Sequence, residues 1–400
     1  MSADVRVPRD DDRDDIARLL STSLNFPLEA AMARKHIFDL ADMRCAYEEG
    51  RPVANAAEFR FTQWFGGRGL ATSGIWGVVT EPERRGAGLA SACLGALMDD
   101  ARRRGDPLTT LFPAVLAPYR RMGYELAGTF DEHRVALGDL PQSDARELPS
   151  VELIDVERDG DDVRDAYSRW IRTRHGNLQP DAKFWRGRVL ERPWDEAARA
   201  VVIRDGGAVT GFAMFTRASD PSGPLADIAF GLRCSMFFMT DERALRAFIR
   251  YALGYRGVGR WLQWGGAPDD PLTLLVGVQA VTVAQRYRWM LRILDVPAAF
   301  EGRGYPAIDA EVTFAVDDPR YPENTGPWRL TVTGGEAKVV EAERSERRRP
   351  IPIGALSSIF TGYLRLPDAV ALGYLDTDDP AVEALGALLA GPDPWCSFFF

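Results

Sequence analysis

The sequence predicts a mixed α+β protein of two or three domains, on three observations. Its 400 residues exceed what one ordinary hydrophobic core holds. Residues 78–105 read as a strand, a glycine-containing turn and a long helix, and a similar order of elements returns near residue 234. After residue 292 the pattern changes to hairpins and then to helices.

The first of these elements is "SGIWGVVT", a β-branched run that ends in "EPERRGAGLASACLGAL". From Ala90 the apolar residues fall at Cys93, Leu94, Leu97, Met98 and Ala101, one face of a helix. "RRRGD" closes it, with cations in the last turn and then Gly105. Glycine lets a backbone come close to a ligand, and the outward N–H groups of a helix start favour an anion. Arg85, Gly86, Ala87, Gly88, Leu89 and Ala90 are therefore candidates to wrap a pyrophosphate, with Arg84 a weaker one. A dinucleotide fingerprint is a rival, since Gly86, Gly88 and Ser91 approximate GxGxxG, but its third glycine is missing and no acid follows at ribose distance. A Walker loop is excluded, because no GK[ST] follows.

Downstream, "PLTTLFPAV" reads as a short strand, and "LAPYRRMGYELAGTFDEHRVAL" as a helical turn followed by two extended segments. In the middle of the chain "CSMFFMTDERALRAFIRYAL" again runs strand, acid, helix, with Leu245, Phe248, Ile249, Ala252 and Leu253 on one helical face and no glycine turn. "WRLTVTGGEAKVVEAE" is a hairpin turning at Gly334-Gly335, and helices follow near 353–362 and 380–390.

Composition excludes several function classes. No run approaches about 18 apolar residues, so no membrane-spanning helix is expected, and "MSADVRVPRDDDRDD" lacks the features of a signal peptide, so a cytoplasmic location is. The formal charge of −9 disfavours nucleic acid, and the basic run at 344–350 reads as a solvated loop. Cys45, Cys93, Cys234 and Cys396 form no CxxC pair and read as reduced packing residues. His36, His133 and His175 form no metal or Ser-His-Asp signature, so no metal is expected. Only Lys35, Lys183 and Lys338 stand against many arginines, which fits a GC-rich bacterial genome.

The spacing Arg85-x-x-Gly88-x-Ala90 after a strand and "TEPERR" resembles motif A of the GCN5-related N-acetyltransferases (GNAT), and Tyr119-Arg-Arg-Met-Gly-Tyr124 looks like that family's "Y-x-x-x-G-[FY]" signature. Two such folds, the second degenerate, followed by a sterol-carrier-protein-like α+β domain resemble the Eis (enhanced intracellular survival) family across the whole chain. The divisions fall at 1–145, 146–291 and 292–400. The resemblance implies acetyl-coenzyme A as co-substrate and transfer of acetyl to a primary amine: an aminoglycoside, a lysine side chain of a peptide, or a small amine. Val78, Val79 and Thr80 would lie against the thioester, with a backbone N–H near Val78 or Thr80 polarising its carbonyl. Tyr119 would be the general acid. Tyr124 is the alternative, although its place suits packing.

The chain ends "GPDPWCSFFF", and three phenylalanines exposed at a frayed end would be costly, so all three are expected to be buried. A buried α-carboxylate needs either a cation or a chemical use. In Eis-type enzymes the terminal carboxylate is the general base, which here is that of Phe400. Phe399, Asn25 and Phe26 stand where acids are expected in a pocket for polycations, which points to a smaller or more apolar amine. The family also implies a homo-oligomer, a hexamer. A non-catalytic acyl-coenzyme A or lipid binder on the same fold is the alternative.

Overall fold

The computed structural model describes residues 4–24, 27–35, 39–142, 147–190, 198–222, 225–276, 279–343, 349–376, 379 and 381–400. The readings at Asn25, Phe26, His36 and 344–348 lie outside the described residues. The chain forms two compact units that are not consecutive in sequence. One takes residues 1–127, 289–391 and 400; the other takes 128–288 and 392–399.

The first unit begins with β1 (Asp4–Arg6), α1 (Arg13–Leu24) and α2 (Leu28–Arg34). The antiparallel strands β2 (Met43–Glu48), β3 (Arg51–Phe65) and β4 (Arg68–Thr80) follow. Then α3 (Leu89–Arg104) carries the chain back, so that β5 (Leu108–Leu111) lies parallel to β4, with Thr72–Ile75 opposite it. The expected helix is present. Cys93, Leu94, Leu97, Met98 and Ala101 are buried, and Gly105 ends it at φ 86°, a left-handed position that glycine occupies without strain. Next to β5, antiparallel, runs a strand from far along the sequence, with Met290 opposite Leu111 and Ile293 opposite Leu108.

The second unit repeats this order. Antiparallel strands Ser150–Leu153, Arg199–Asp205, Ala208–Ser219 and Phe230–Met239 lead to a helix, Glu242–Leu253, and a parallel strand, Gly259–Gly266. Its next place is filled by 131–136, antiparallel to Trp261–Gly266. Each sheet is thus completed by a strand that precedes or follows the other's sequence. Where the sequence suggests two extended segments after "YRRMGY", the structure has the single strand Glu125–Ala136. Gly128 alone supplies no turn, and 127–131 are buried, so the backbone stays extended to keep its ladder bonds.

The C-terminal α+β element belongs to the first unit. Its sheet has the order Glu336–Glu341, Gly326–Thr333, Ala310–Asp317, Ile351–Pro352. Gly334 and Gly335 form the expected turn at φ 58° and 86°. Helices Val296–Gly302, Ile353–Thr361, Leu366–Ala371 and Ala381–Leu388 complete it, and the Phe300 ring packs 5.2 Å from Phe314 and 5.3 Å from Phe360. The four cysteines are free and buried.

Arg292 and Asp318, both fully buried, pair at 2.7 Å within this unit. Removing the acid leaves a desolvated guanidinium without its counter-charge. Asp318→Ala is therefore expected to lower the unfolding free energy by about 3–5 kcal/mol, read from the urea midpoint, whereas Asp4→Ala, at an exposed pair on β1, should change it by less than ~1 kcal/mol.

Candidate active site

The turn between β4 and α3 is open and backbone-rich. A short 3-10 turn at Pro82–Arg84 leads to Gly86 at φ 88° and Gly88 at φ 78°, and 82–88 are all exposed. A Cβ at either glycine would meet nothing within 4 Å. Glycine is therefore needed there for its left-handed backbone and not for space. Gly88 caps α3 without a side-chain bond, and the first helical bond runs from Ala92 N–H to the Gly88 carbonyl. Among the described residues no protein acceptor takes the N–H groups of 86–91, which is the arrangement that holds an anion. The two arginines differ. Arg84 pairs with Glu48 at 2.9 Å, while the exposed Arg85 has no ion-pair partner among the described residues.

Upstream of the turn, β4 carries a bulge. The register with β3 shifts between Asn55 and Ala57, and Gly77 adopts φ 59°. The fully buried Asn55 donates from Nδ2 to the Gly77 carbonyl at 2.8 Å and accepts from the Cys45 thiol at 3.3 Å. Glu81 N–H bonds the Val53 carbonyl of β3 at 2.9 Å. By strand alternation Val79 also faces β3, and the N–H groups of Val78 and Thr80 point away from it. β5 pairs with β4 only as far as Ile75, so these two donors lie beyond the paired stretch. The Val79 and Leu89 side chains are buried in the core, which leaves those residues only their backbone for a ligand.

α4 (Leu116–Arg121) carries Tyr119, and the Tyr119 carbonyl accepts from Met122 and Tyr124 N–H to close the turn through Gly123, φ 86°. The rings of the two tyrosines stand 6.2 Å apart, edge to face. They differ in the hydroxyl. Tyr124 is buried, and its oxygen is 2.9 Å from Thr109 Oγ1. Tyr119 is half-buried, with no hydrogen-bond partner for its hydroxyl among the described residues, and burial raises its pKa above the usual tyrosine value. It is thus a neutral phenol with a free O–H. Cys93 is no rival nucleophile: burial pushes its thiol up to about 12.

Of the terminal phenylalanines, Phe398 is buried, but Phe399 is 54% exposed and Phe400 half-buried, which corrects the expectation of three buried rings. Residues 394–398 are all buried, the chain bends at Ser397 and Phe398, and the Phe399 ring is left facing solvent beyond that bend. In the first unit the Phe400 ring sits edge-on to Phe61 at 5.1 Å and to Phe112 at 5.4 Å. No arginine of that unit forms an ion pair with its carboxylate among the described residues. The preceding tail is held in the second unit: Trp395 N–H donates to the His175 carbonyl at 3.0 Å, Asn177 Nδ2 donates to the Trp395 carbonyl at 3.1 Å, and Ser397 Oγ lies 2.5 Å from the Tyr167 hydroxyl.

The second unit's helix start is built differently. Asp241 caps it, its carboxylate accepting from Ala244 N–H at 2.9 Å, and that carboxylate fills the place where an anion would bind.

Comparison with known proteins follows the same outline. Residues 4–127 and 176–293 each match an acetyltransferase (GNAT) domain, and 296–397 match a sterol carrier protein domain. An uncharacterized N-acetyltransferase of Streptomyces griseus is 26% identical over 423 residues, covering 100% of both chains. One of Streptomyces avermitilis is 28% identical over 416 residues, covering 99% of each. Among solved structures, a GCN5-related N-acetyltransferase from Anabaena variabilis superposes with a TM-score of 0.90 at 24% identity over 100% of both chains. Eis1 from Mycobacterium abscessus does so at 0.79 and 20% identity, over 99% of this chain and 100% of that one. The fold is shared with both. Among the described residues no helix is long and apolar enough to cross a membrane.

The Asn55 clamp on the bulge is directly testable. Asn55→Ala leaves a buried carbonyl and a thiol without their partner and is expected to cost about 1–3 kcal/mol, measured by chemical denaturation. Asn55→Asp, which keeps the shape but loses the donor, should be no milder than Asn55→Ala.

Proposed function

We propose, on the premise that this chain is a GCN5-related N-acetyltransferase in the Eis-like arrangement, that it passes the acetyl group of acetyl-coenzyme A to a primary amine by direct attack. The observation that carries the reading is the run of unpartnered N–H groups at 86–91 beside the unpaired Arg85, set against the self-capped helix start at Asp241. The residues present fit the coenzyme, because the open turn offers donors and a cation where a pyrophosphate needs them.

In this reading the turn amides hold the pyrophosphate and Arg85 neutralises part of its charge. The N–H of Val78 or Thr80 donates to the thioester carbonyl oxygen and strengthens that bond as negative charge develops on it. The Phe400 carboxylate takes a proton from the ammonium so that a lone pair can attack, directly or through water. The C–N bond forms and the C–S bond breaks. The ammonium gives up two protons in all: one ends on the leaving thiol by way of Tyr119, and the other reaches solvent by way of the carboxylate. Tyr119 suits its role because burial keeps the phenol protonated at neutral pH. The acceptor is a small-molecule or peptide amine, and a cytoplasmic homo-oligomer remains our expectation.

The test is thiol release from acetyl-coenzyme A across a panel of amines. Amine-dependent release that is lost on removing Phe400 supports the proposal. Tight coenzyme binding without release would replace it with an acyl-coenzyme A binding protein. Tyr119→Phe should reduce kcat by about 10²–10⁴ while the affinity for acetyl-coenzyme A stays within a factor of about two, since that phenol acts late in the reaction. With the Tyr119 proton held more tightly than in free tyrosine, the alkaline loss of kcat should begin only above pH ~10, and Tyr119→Phe should abolish that limb.

A further inference from the structure

The surroundings of the Phe400 carboxylate specify the acceptor, an inference that rests on the proposed transfer reaction. A general base works within about 3 Å of the proton it takes, so the substituent on the acceptor nitrogen must lie against whatever surrounds that carboxylate. In the first unit the ring of the same residue has aromatic surroundings. Phe59 and Phe61 are two apart on β3 and share a face, as do Gly74 and Trp76 on β4, and Phe59 stands opposite Gly74. Phe59 stacks on Trp76 with centroids 5.1 Å apart and planes 4° from parallel, and it lies 5.9 Å from Phe61. Phe61 meets the Phe400 ring, which also meets Phe112. Gly74 lets these rings close down on β4: a Cβ there would stand 2.4 Å from the Phe61 ring and 3.1 Å from that of Phe400. Phe59, Trp76, Phe112 and Phe400 are all half-buried, so the wall is formed but not sealed.

Glu58, next to Phe59 on β3, lies on the opposite face by alternation, where Ser73 Oγ donates to it and Arg104 bonds both of its oxygens at 2.8 and 2.9 Å. It is therefore not available to a cationic substrate on this wall. The terminal carboxylate is the anion left without an ion pair in this part of the unit, among the described residues.

We propose that the acceptor is an arylalkylamine with one ammonium group, its ring packed against Phe59, Trp76, Phe61 and Phe112 and its nitrogen at the Phe400 carboxylate. A polyamine or aminoglycoside carries further ammonium groups that this wall would desolvate without a counter-charge. A short alkylamine reaches the base but offers the rings less apolar contact.

The experiment compares kcat/KM for 2-phenylethylamine, n-butylamine, spermidine and kanamycin in the thiol-release assay with the full-length protein, then repeats the first two with Phe59→Leu and Phe112→Leu. The expected result is a preference for 2-phenylethylamine of at least about tenfold over each of the others, comparable with what an apolar pocket gains from modest extra contact. Both variants should narrow its ratio to n-butylamine. Spermidine or kanamycin matching 2-phenylethylamine would overturn the inference while leaving the transferase reading intact. So would a ratio unchanged in both variants. Release with no amine at all would overturn both.

Discussion

The pairing of Arg292 with Asp318 is the interaction on which the first unit depends. Burying two charges costs several kcal/mol per ion before any gain, and such a pair is tolerable only when further hydrogen bonds offset that cost. Here several do. Asp318 accepts from Arg292 at 2.7 Å, from Asn324 Nδ2 at 2.8 Å, and from the backbone N–H groups of Arg320 and Tyr321 at 3.2 Å. Arg292 gives two further protons to the carbonyls of Met122 and Ile293, each at 2.7 Å. One ion pair thus ties together the strand beside β5, the start of the C-terminal α+β element and the turn after α4. A Cβ on Gly123 would stand 2.9 Å from Arg292 Nε, so the glycine of that turn is required by the same guanidinium. The placement of Tyr119, and its difference from Tyr124, follow from how that turn is pinned.

A second constraint separates the two repeats. Both present a helix after a strand and before a parallel strand, and both helix starts have N–H groups to satisfy. In the first, Gly88 at φ 78° supplies no acceptor and the donors stay open; in the second, Asp241 supplies a carboxylate. An aspartate cap is the more stable choice, over glycine by roughly a few tenths of a kcal/mol. The first helix does without it, and its open donors are the ones the proposed coenzyme would meet. The degenerate character of the second repeat is therefore one of local bonding, since its order of elements is intact.

Much of this was legible in the sequence, for reasons that differ by residue. The helix after the glycine turn, its left-handed terminator Gly105 and the Gly334-Gly335 hairpin are local signals, each encoded within a few residues. The resemblance of "YRRMGY" to a family signature pointed to Tyr119, and the free hydroxyl there, against the engaged one of Tyr124, fits that choice. What escaped was non-local. Nothing near residue 290 says that it pairs with Leu111, and nothing near 131 says that it pairs with Gly266, because a closing strand is selected by a tertiary edge and not by its own pattern. The clamp of Asn55 on Gly77 was missed for a related reason. A lone asparagine in a strand looks like a weak strand former until the bulge opposite it is seen. The exposed ring of Phe399 was missed because three identical residues carry no pattern that marks which of them faces solvent.

The proposed use of a main-chain carboxylate follows from these constraints. A side-chain carboxylate on β3 or β4 at this face would need its own desolvation offset, and Glu58 of β3 projects instead to the opposite face, where Arg104 neutralises it. A terminal carboxylate carries its anchor on the same residue: the ring of Phe400 is gripped at its edges by Phe61 and Phe112, and Gly74 leaves room for it. Aromatic edge contacts of this kind are worth about 0.5–1.5 kcal/mol each, enough to order one residue without pairing its charge. The carboxylate can thus be located by apolar contacts while remaining unneutralised, which is the condition a base needs. The rings that locate it then also form the wall that the proposed acceptor would meet.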